Sequence, residues 1–300
     1  MSILRDNINA GPSGFKKLLS EGFIEAAGVF NGMSALLAQQ AGFRALYLSG
    51  SGVAGAMGLP DLSITTLSEV ADETRKITSV SGLPLIVDAD TGFGEAINVM
   101  RTVRVLEDAG AAALHLEDQV LPKRCGHLNG KKVVEMEEMG KKIMTAIASR
   151  HNPDFMIIAR TDARSVNGLD DAIERALYYR KCGADMIFTE ALESAEEFLE
   201  FSSKVKTPLL ANMTEFGKSP LLSSSELKDL GYSAVIFPLT GFRVALKSLQ
   251  KTYETLIREG TQRTFIDDLM TRRQFYEVIG YDEYEKDDRD IFNMKGEKDD

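Results

Sequence analysis

The chain has 300 residues, a hydrophobic fraction of 44% and a charged fraction of 27%, values typical of a globular protein with a sizeable core. Its formal net charge of −10 and the lack of a basic patch outside residues 121–131 argue against nucleic acid and anionic membranes as partners. Two cysteines, Cys125 and Cys182, make no disulfide framework and suit a reducing compartment. The first residues lack a signal-peptide pattern, and no run approaches the roughly 18 apolar residues of a membrane span, so we expect a cytoplasmic protein.

The chain begins with polar residues 1–12, which predict an arm, and Phe15 to Leu19 then predict a short helix. After this start, short apolar runs recur, most of them too short to be helices. Continuous apolar character is typical of strands buried on both faces, as in a parallel sheet. The runs are Ala27–Phe30, Ala45–Leu48, Leu83–Val87, Ala112–Leu116, Phe155–Ala159, Met186–Phe188, Pro208–Ala211 and Ala234–Phe237.

The segments between these runs carry helix signals. Capping-box spacing occurs at Thr66 to Glu69, Ser194 to Glu197 and Ser223 to Glu226. A glycine that ends a helix before the next apolar run recurs at Gly42, Gly110, Gly183 and Gly231. Eight such units in about 240 residues predict a (β/α)8 TIM-type barrel. A doubly wound open sheet is the alternative, but Asn31-Gly32-Met33 lacks its Gly-rich phosphate fingerprint.

The C-terminal part exceeds what eight units need. Helical patterns lie near Thr252–Glu259, Phe265–Met270 and Arg272–Ile279, and apolar helices beyond a closed barrel must cover something, such as a neighbouring subunit. The tail from Asp282 is dense in Asp, Glu and Lys and predicts a frayed end. We therefore predict one domain over residues 1–300. It would hold the barrel at about 25–250, C-terminal helices at about 251–290 and a disordered tail at about 291–300.

Two aspartates end the third predicted strand. Active sites of such barrels form at the C-terminal ends of the strands, and Asp88 and Asp90, two positions apart, are expected to point the same way. Two like charges at such a short distance repel each other unless a cation lies between them. Mg²⁺ would resolve this repulsion with oxygen ligands and retained waters, whereas in the alternative one Asp only caps the next helix.

Other strand ends carry polar side chains that converge on the same mouth. His115 and Glu117 share a face of the fourth strand, and Asp118 points away to a structural role. Arg160 ends the fifth strand and suits a bidentate carboxylate, or else an ion pair with Glu117 or Glu190. The remaining ends are Ser49-Gly50-Ser51, whose small residues let backbone amides approach an anion, then Thr189-Glu190, Asn212-Met213-Thr214 and Phe237-Pro238.

The stretch from Leu121 to Lys131 places a thiol, an imidazole and three cations on the loop after the fourth strand. Cys125 lies between basic residues, which lowers the pKa of a thiol and makes it reactive. Gly126 and Gly130 would let the loop close over the mouth as a lid. The alternative is a solvated basic turn. Together with Mg²⁺ and Arg160, a thiol acid or base suits C–C bond making or breaking next to a carboxylate.

Seven short motifs are spread over nearly the whole chain: Tyr47-Leu-Ser-Gly, Gly58-Leu-Pro-Asp61, Asp88-Ala-Asp90-Thr-Gly-Phe-Gly94, Glu117-Asp-Gln, Lys123-Arg-Cys-Gly-His127, Ala159-Arg-Thr-Asp162 and Ala211-Asn-Met-Thr-Glu-Phe216. These motifs resemble the isocitrate lyase/phosphoenolpyruvate mutase superfamily, and most closely its 2-methylisocitrate lyase branch. Isocitrate lyases carry a long insertion that is absent here.

The resemblance implies cleavage of 2-methylisocitrate, a tricarboxylate, to pyruvate and succinate in propionate catabolism (the methylcitrate cycle). It implies Mg²⁺, or alternatively Mn²⁺, on Asp88 and Asp90, with Asp61, Glu117 and His115 supporting it partly through water. Cys125 would protonate the succinate carbanion, and Tyr47 would accept the substrate hydroxyl proton. Lys123, His127 and Glu117 complete the catalytic set. Substrate-binding positions would be Ser49, Gly50, Ser51, Gly126, Arg160, Glu190, Asn212, Met213, Thr214, Arg243 and Arg272. The resemblance also implies a homotetramer whose C-terminal helices swap between subunits.

The residues alone do not determine which substrate is preferred. Phe188 matches a position where isocitrate lyases tend to carry Trp, and the smaller ring leaves room for an extra methyl group. Leu128-Asn129-Gly130 departs from the usual sequence after the His, which leaves isocitrate or 2,3-dimethylmalate as alternative substrates. The phosphonate branch generally lacks the Cys. A barrel that binds a hydroxy acid without catalysis is a further alternative.

Overall fold

Eight parallel strands form a closed barrel in chain order, which confirms the (β/α)8 prediction. The structure is a computed structural model that describes residues 10–124, 126–127 and 130–293. Each strand is short, and nearly all of its residues are buried, as the continuous apolar runs predict. The strands are β1 Ile24–Val29, β2 Ala45–Leu48, β3 Leu85–Asp88, β4 Ala113–Glu117, β5 Met156–Thr161, β6 Met186–Thr189, β7 Leu209–Asn212 and β8 Ala234–Phe237.

Helices surround the barrel and connect its strands. Those of the barrel are α1 Gly11–Glu21, α2 Gly32–Gln40, α3 Gly50–Ala56, α4 Leu67–Thr78, α5 Ala96–Asp108, α6 Met136–Ser149, α7 Arg164–Asn167, α8 Leu169–Lys181, α9 Ala195–Lys204, α10 Ser224–Asp229 and α11 Thr240–Glu259. A 3-10 helix at Arg263–Asp268 and two further helices, α12 Arg272–Ile279 and α13 Tyr281–Asn293, follow them.

Local sequence determines where several helices begin and end. Thr66 and Ser223 start α4 and α10 with reciprocal capping boxes, and the side chain of Ser194 accepts a hydrogen bond from the amide of Glu197 in α9. Gly183 follows α8 with φ of 104°, a left-handed conformation that glycine adopts without strain. These signals confirm the helix boundaries that the sequence predicts near these residues.

Two apolar layers hold the barrel together. The inner layer contains inward-facing strand residues such as Tyr47, Ile86 and Phe188. Phe15 of α1 joins this layer beside the first residues of the strands, so α1 closes the N-terminal end of the barrel. The outer layer packs the opposite strand faces against the surrounding helices. The opposite end, where the strands finish, is left for polar groups.

The two ends of the chain differ from the sequence prediction. Helix α1 begins at Gly11, inside the predicted arm, because Pro12 fits the first turn of a helix. Residues 281–293 form α13, whereas a frayed tail was predicted from Asp282; acidic residues in its first turn favour a helix. The segment predicted as a helix from Phe265 is a 3-10 helix. None of the helices in the described ranges has the length and apolar character that crossing a membrane requires.

Candidate active site

A polar cavity of about 100 Å³ lies at the C-terminal ends of the strands, where barrel enzymes place their sites. It collects side chains from many different strand ends, as predicted. Its lining residues are Tyr47, Ser49, Ser51, Asp61, Asp88, Lys123, Arg124, Gly126, His127, Arg160, Glu190, Asn212, Thr214, Pro238, Leu239 and Arg243.

Asp88 and Asp90 point toward the same place beside Gly50. An ideal Cβ built on Gly50 would lie 3.2 Å from Oδ2 of Asp88 and 3.2 Å from Oδ1 of Asp90. The amide of Gly50 donates to Oδ2 of Asp88 at 3.0 Å. Convergence was expected from strand alternation, but β3 ends at Asp88, and Asp90 has φ of 47°. A left-handed turn therefore brings the second carboxylate to the first.

Lys123 supplies a positive charge to these carboxylates. Its Nζ lies 2.5 Å from Oδ1 of Asp61 and 2.8 Å from Oδ1 of Asp90, and its side chain is 4% exposed. Burial, followed by the charge of Asp88, raises the pKa of Asp90 to about 6. Burial opposes the ionisation of Asp88 as well, but His115, Lys123 and Arg160 outweigh it and lower the pKa of Asp88 to about 2. Asp88 and Asp90 together therefore carry more negative charge than their buried surroundings stabilise.

The donor set fits a hard divalent cation that keeps some of its water. Within the described ranges, no three His, Cys, Asp or Glu side chains surround one point as a closed metal site requires. Mg²⁺, however, usually binds through one or two carboxylates, waters and substrate oxygens. Buried Oδ1 of Asp90 and Oε1 of Glu117 have no hydrogen-bond donor; the Lys123 contact to Asp90 lacks hydrogen-bond geometry. Asp88 and Asp90 could hold the ion, with Asp61, His115 and Glu117 around it.

Tyr47 and His115 form a buried pair inside the barrel. The phenol oxygen lies 2.9 Å from Nε2 of His115, the rings stack at 9°, and the same nitrogen is 3.5 Å from Oδ1 of Asp88. Burial lowers the pKa of His115 to about 4, so its ring is neutral near pH 7. Burial, then the Asp88 charge, raises the pKa of Tyr47 well above its usual value. The phenol is therefore protonated in this arrangement.

Arg160 is held by three carboxylates. Its Nε lies 2.9 Å from Oδ2 of Asp162 and 3.3 Å from Oε2 of Glu117, and its Nη2 lies 3.1 Å from Oε2 of Glu190. The guanidinium carbon stands 5.0 Å from the ring centroid of Phe188, which forms the floor below it. The sequence predicted that Arg160 binds a substrate carboxylate or else pairs with Glu117 or Glu190. Both ion pairs are present, and the same guanidinium also lines the cavity.

His127, on the loop after β4, lies directly on this network. Nε2 of His127 is 2.8 Å from Oε1 of Glu190, while its Nδ1 accepts a hydrogen bond from the amide of Lys218 at 2.9 Å. An accepting Nδ1 places the proton of a neutral ring on Nε2, facing Glu190. Two of the three loop cations, Lys123 and Lys131, are buried rather than solvated, whereas Arg124 is exposed.

The remaining predicted residues lie in different places. Ser49, Ser51, Asn212, Thr214 and Arg243 line the cavity, whereas the amide of Gly50 is bonded to Asp88. Met213 packs instead into the outer apolar layer, because it follows the end of β7 and faces the helices. Arg272 is exposed at the start of α12 and is not among the lining residues. Cys125 lies outside the described residues.

Sequence reasoning overlooked Asp162 and Lys131 as site residues. Asp162 binds both Arg160 and Lys131, and all three side chains are buried. Asp162 stands two positions after Arg160, so the spacing argument used for Asp88 and Asp90 could have found it. Nothing in the local pattern around Lys131 predicts that its charge is buried.

Paired carboxylates, an arginine and a basic loop at the mouth of a closed parallel barrel define this protein as a (β/α)8-barrel enzyme. A sequence model of the phosphoenolpyruvate phosphomutase family matches residues 15–257, and the chain belongs to this family. It is similar to the 2-methylisocitrate lyase of Aeropyrum pernix, with 54% identity over 268 residues, 89% of this chain and 86% of that protein.

Solved structures agree with this placement. One of 2,3-dimethylmalate lyase superposes with a TM-score of 0.89 at 36% identity, covering 95% of this chain and 96% of that chain. A structure of phosphonopyruvate hydrolase in complex with oxalate and Mg²⁺ superposes with a TM-score of 0.86 at 28% identity, covering 98% of this chain and 100% of that chain.

Proposed function

We propose that this enzyme is a Mg²⁺-dependent carbon–carbon lyase that cleaves 2-methylisocitrate to pyruvate and succinate. The observation that carries the proposal is the convergence of Asp88 and Asp90 beside Arg160, under a loop whose sequence contains Cys125. The Aeropyrum pernix relative bears the name of this activity, and phosphonopyruvate hydrolase has been solved with Mg²⁺. Mn²⁺ would also suit the oxygen donors.

The cavity groups would bind the carboxylates and hydroxyl of the substrate. Arg160 would present guanidinium N–H groups to a substrate carboxylate, and Asn212 and Thr214 add hydrogen-bonding groups, while the amide of Gly50 holds Asp88 in place. When bound, Mg²⁺ supplies a positive charge that stabilises an enolate-like product next to a carboxylate. Glu190 would keep Arg160 and His127 in place.

Protons would move at two atoms of this chain. The Sγ of Cys125 would protonate the succinate carbanion, because its sequence neighbours are basic and stabilise the thiolate that remains. The phenol oxygen of Tyr47 would accept the proton of the substrate hydroxyl. This second role requires Tyr47 to ionise, but burial and then the charge of Asp88 raise its pKa, so a cation in the mouth has to favour the phenolate.

A second substrate is favoured by a specific comparison, because 2,3-dimethylmalate lyase has a similar structure over 95% of this chain. Purified enzyme should therefore be incubated with Mg²⁺ and 2-methylisocitrate, isocitrate or 2,3-dimethylmalate in separate reactions, with the cleavage products identified by NMR. Pyruvate and succinate formed fastest from 2-methylisocitrate would support the proposal. Faster cleavage of isocitrate or 2,3-dimethylmalate would mean that this acid is the substrate. Binding without any cleavage would support a non-catalytic barrel.

Assembly and location also belong to the proposal. Helix α11 carries a stripe of exposed apolar side chains, Leu246, Leu249, Tyr253 and Ile257, which a neighbouring subunit could cover. We expect a homotetramer with C-terminal helices exchanged between subunits. The small number of cysteines suits a reducing compartment, and we place the enzyme in the cytoplasm, in propionate catabolism.

A further inference from the structure

A closed ring of contacts joins the loop after β4 to Arg160. Nζ of Lys131 donates to Oδ1 of Asp162 at 2.7 Å and also to the carbonyl oxygen of Gly126. Asp162 in turn accepts from Nε of Arg160 at 2.9 Å and from its Nη2 at 3.2 Å. Gly126 completes the ring, because a Cβ built on it would lie 2.5 Å from Nη2 of Arg160. Only a residue without a side chain permits this approach.

The ring rests on a rigid base. Oδ1 of Asp118 accepts from the amide of Asp162 at 2.8 Å, and its Oδ2 accepts from the hydroxyls of Thr161 and Tyr179, each at 2.8 Å. Asp162 is completely buried. Burial would raise the pKa of Asp162, but Arg160 and Lys131 lower it, so the carboxylate is charged and holds both cations. Neither Asp162 nor Lys131 is among the described residues that line the cavity.

We propose that Asp162 and Lys131 are positioning residues that place the backbone of Gly126 and the guanidinium of Arg160 as one unit. Gly126 directly follows Cys125 in sequence, so the ring would fix one side of the segment that bears the thiol. The inference rests on the proposed function only where it assigns Arg160 and Cys125 to substrate chemistry. The mechanical link itself depends on the contacts alone.

The two residues should fail in different ways. Removing Lys131 releases Gly126 but leaves Arg160 bound to Asp162 and Glu117, so substrate binding is largely kept. We expect Lys131→Met to lower kcat by about 10-fold to 100-fold, the effect of a small misplacement of a catalytic group, with KM changed less than about 3-fold. Asp162→Asn also weakens the hold on Arg160, which then depends on Glu117 and Glu190, and should raise KM about 10-fold or more.

Hydrogen exchange tests the link without substrate or metal. In the wild type, Gly126 and His127 should exchange slowly, and Lys131→Met should speed exchange at these two residues about 10-fold or more. Lys131→Arg keeps the charge and the donors and should restore most of the protection. Lys132→Met is the matched control, because Lys132 is the exposed neighbour of Lys131 and loses the same charge.

Specific outcomes overturn the proposal. Equal exchange in wild type and Lys131→Met, or an equal rise in Lys132→Met, would show that Lys131 does not hold the loop. A parallel loss of kcat, substrate affinity and thermal stability that Lys131→Arg does not restore would mean a merely structural role. Because exchange is measured without substrate, the link can be confirmed even if wild-type enzyme fails to cleave 2-methylisocitrate, which would refute only the proposed function.

Discussion

The ammonium nitrogen of Lys123 lies 2.8 Å from Oδ1 of Asp90 and 2.5 Å from Oδ1 of Asp61. A cation from the loop thus enters the group of carboxylates that is proposed to hold Mg²⁺. Burial opposes the charge of Lys123, but Asp90 and the neighbouring carboxylates raise its pKa, so the ammonium stays protonated near pH 7. A metal ion that binds here has to share these oxygens with Lys123 or displace it.

Replacing Lys123 should strengthen metal binding while it impairs turnover. In Lys123→Met, Asp61 and Asp90 lose their countercharge, and we expect Mn²⁺ to bind about 10-fold more tightly, equivalent to about 1.4 kcal/mol. Titration followed by electron paramagnetic resonance on substrate-free enzyme, first freed of metal by EDTA, measures this affinity. Lys132→Met is the control for a general loss of positive charge. An unchanged dissociation constant in Lys123→Met would mean that the ammonium and the metal do not compete.

Cys125, which lies outside the described residues, provides the second prediction. Cys125→Ser replaces an acidic thiol by a hydroxyl that cannot donate its proton near pH 7. We expect turnover to fall by about 100-fold or more, the usual size of a general acid contribution, while Mn²⁺ affinity stays unchanged. Cys182→Ser, at the end of α8, removes the other thiol and should leave turnover as it was. Near-normal cleavage by Cys125→Ser would remove Cys125 from the mechanism.

The sequence predicts the barrel well because its strands are buried on both faces and its helices carry local capping signals. It also predicts most of the mouth, since the carboxyl ends of all strands in a parallel barrel meet at one face, where polar residues gather. Asp88 and Arg160 belong to this group. Their positions follow from strand ends, which are local features of the chain.

Contacts that depend on strand register and loop path are not visible in the sequence. Glu117 pairs with Arg160 because β4 and β5 align at these residues, and Lys131 reaches Asp162 only because the loop folds back. Met213 was assigned to substrate, yet it packs into the outer core, because side-chain direction just after a strand depends on the turn. Helix α13 extends past the predicted limit of the C-terminal helices near residue 290, and its stretch from Asp282 was predicted to be frayed, because high charge predicts solvation but does not exclude a helix.

Phe188 should control the choice between substrates. Its ring is fully buried, lies under Arg160 and stands 5.3 Å from the ring of His115. Phe188→Trp would fill the space next to the mouth and should lower kcat/KM for 2-methylisocitrate relative to isocitrate by about 10-fold to 200-fold. Competition assays with both acids measure this ratio. Phe188→Tyr, a smaller change, is the control, and an unchanged ratio in Phe188→Trp would place the discriminating contact elsewhere.

His115 should make the folded state less stable in mild acid. Burial lowers its pKa from 6.5 to about 4, so between these values the unfolded chain binds a proton that the folded chain does not. Stability is therefore lost as pH falls, by about 2 kcal/mol between pH 7 and pH 5 for this group. Asp90, whose pKa is raised to about 6, stabilises the folded state as pH falls. This opposite effect is present in both the wild type and His115→Gln, so it does not contribute to the difference between them. Urea unfolding of wild type and His115→Gln at the two pH values should differ by this amount, and parallel pH dependence would refute the assignment.

The apolar stripe of α11 should hold subunits together. Tyr253 is 62% exposed and Ile257 is 87% exposed, on the same face as Leu249. Ile257→Glu places a charge where a partner is expected to cover apolar surface, and desolvating that charge should dissociate the assembly. Light scattering after size exclusion should give a tetramer for wild type and a smaller species for the variant. Ser248→Glu adds the same charge at an exposed position on the opposite face of α11 and should stay tetrameric. A monomeric wild type, or an intact tetramer in Ile257→Glu, would show that α11 does not form the interface.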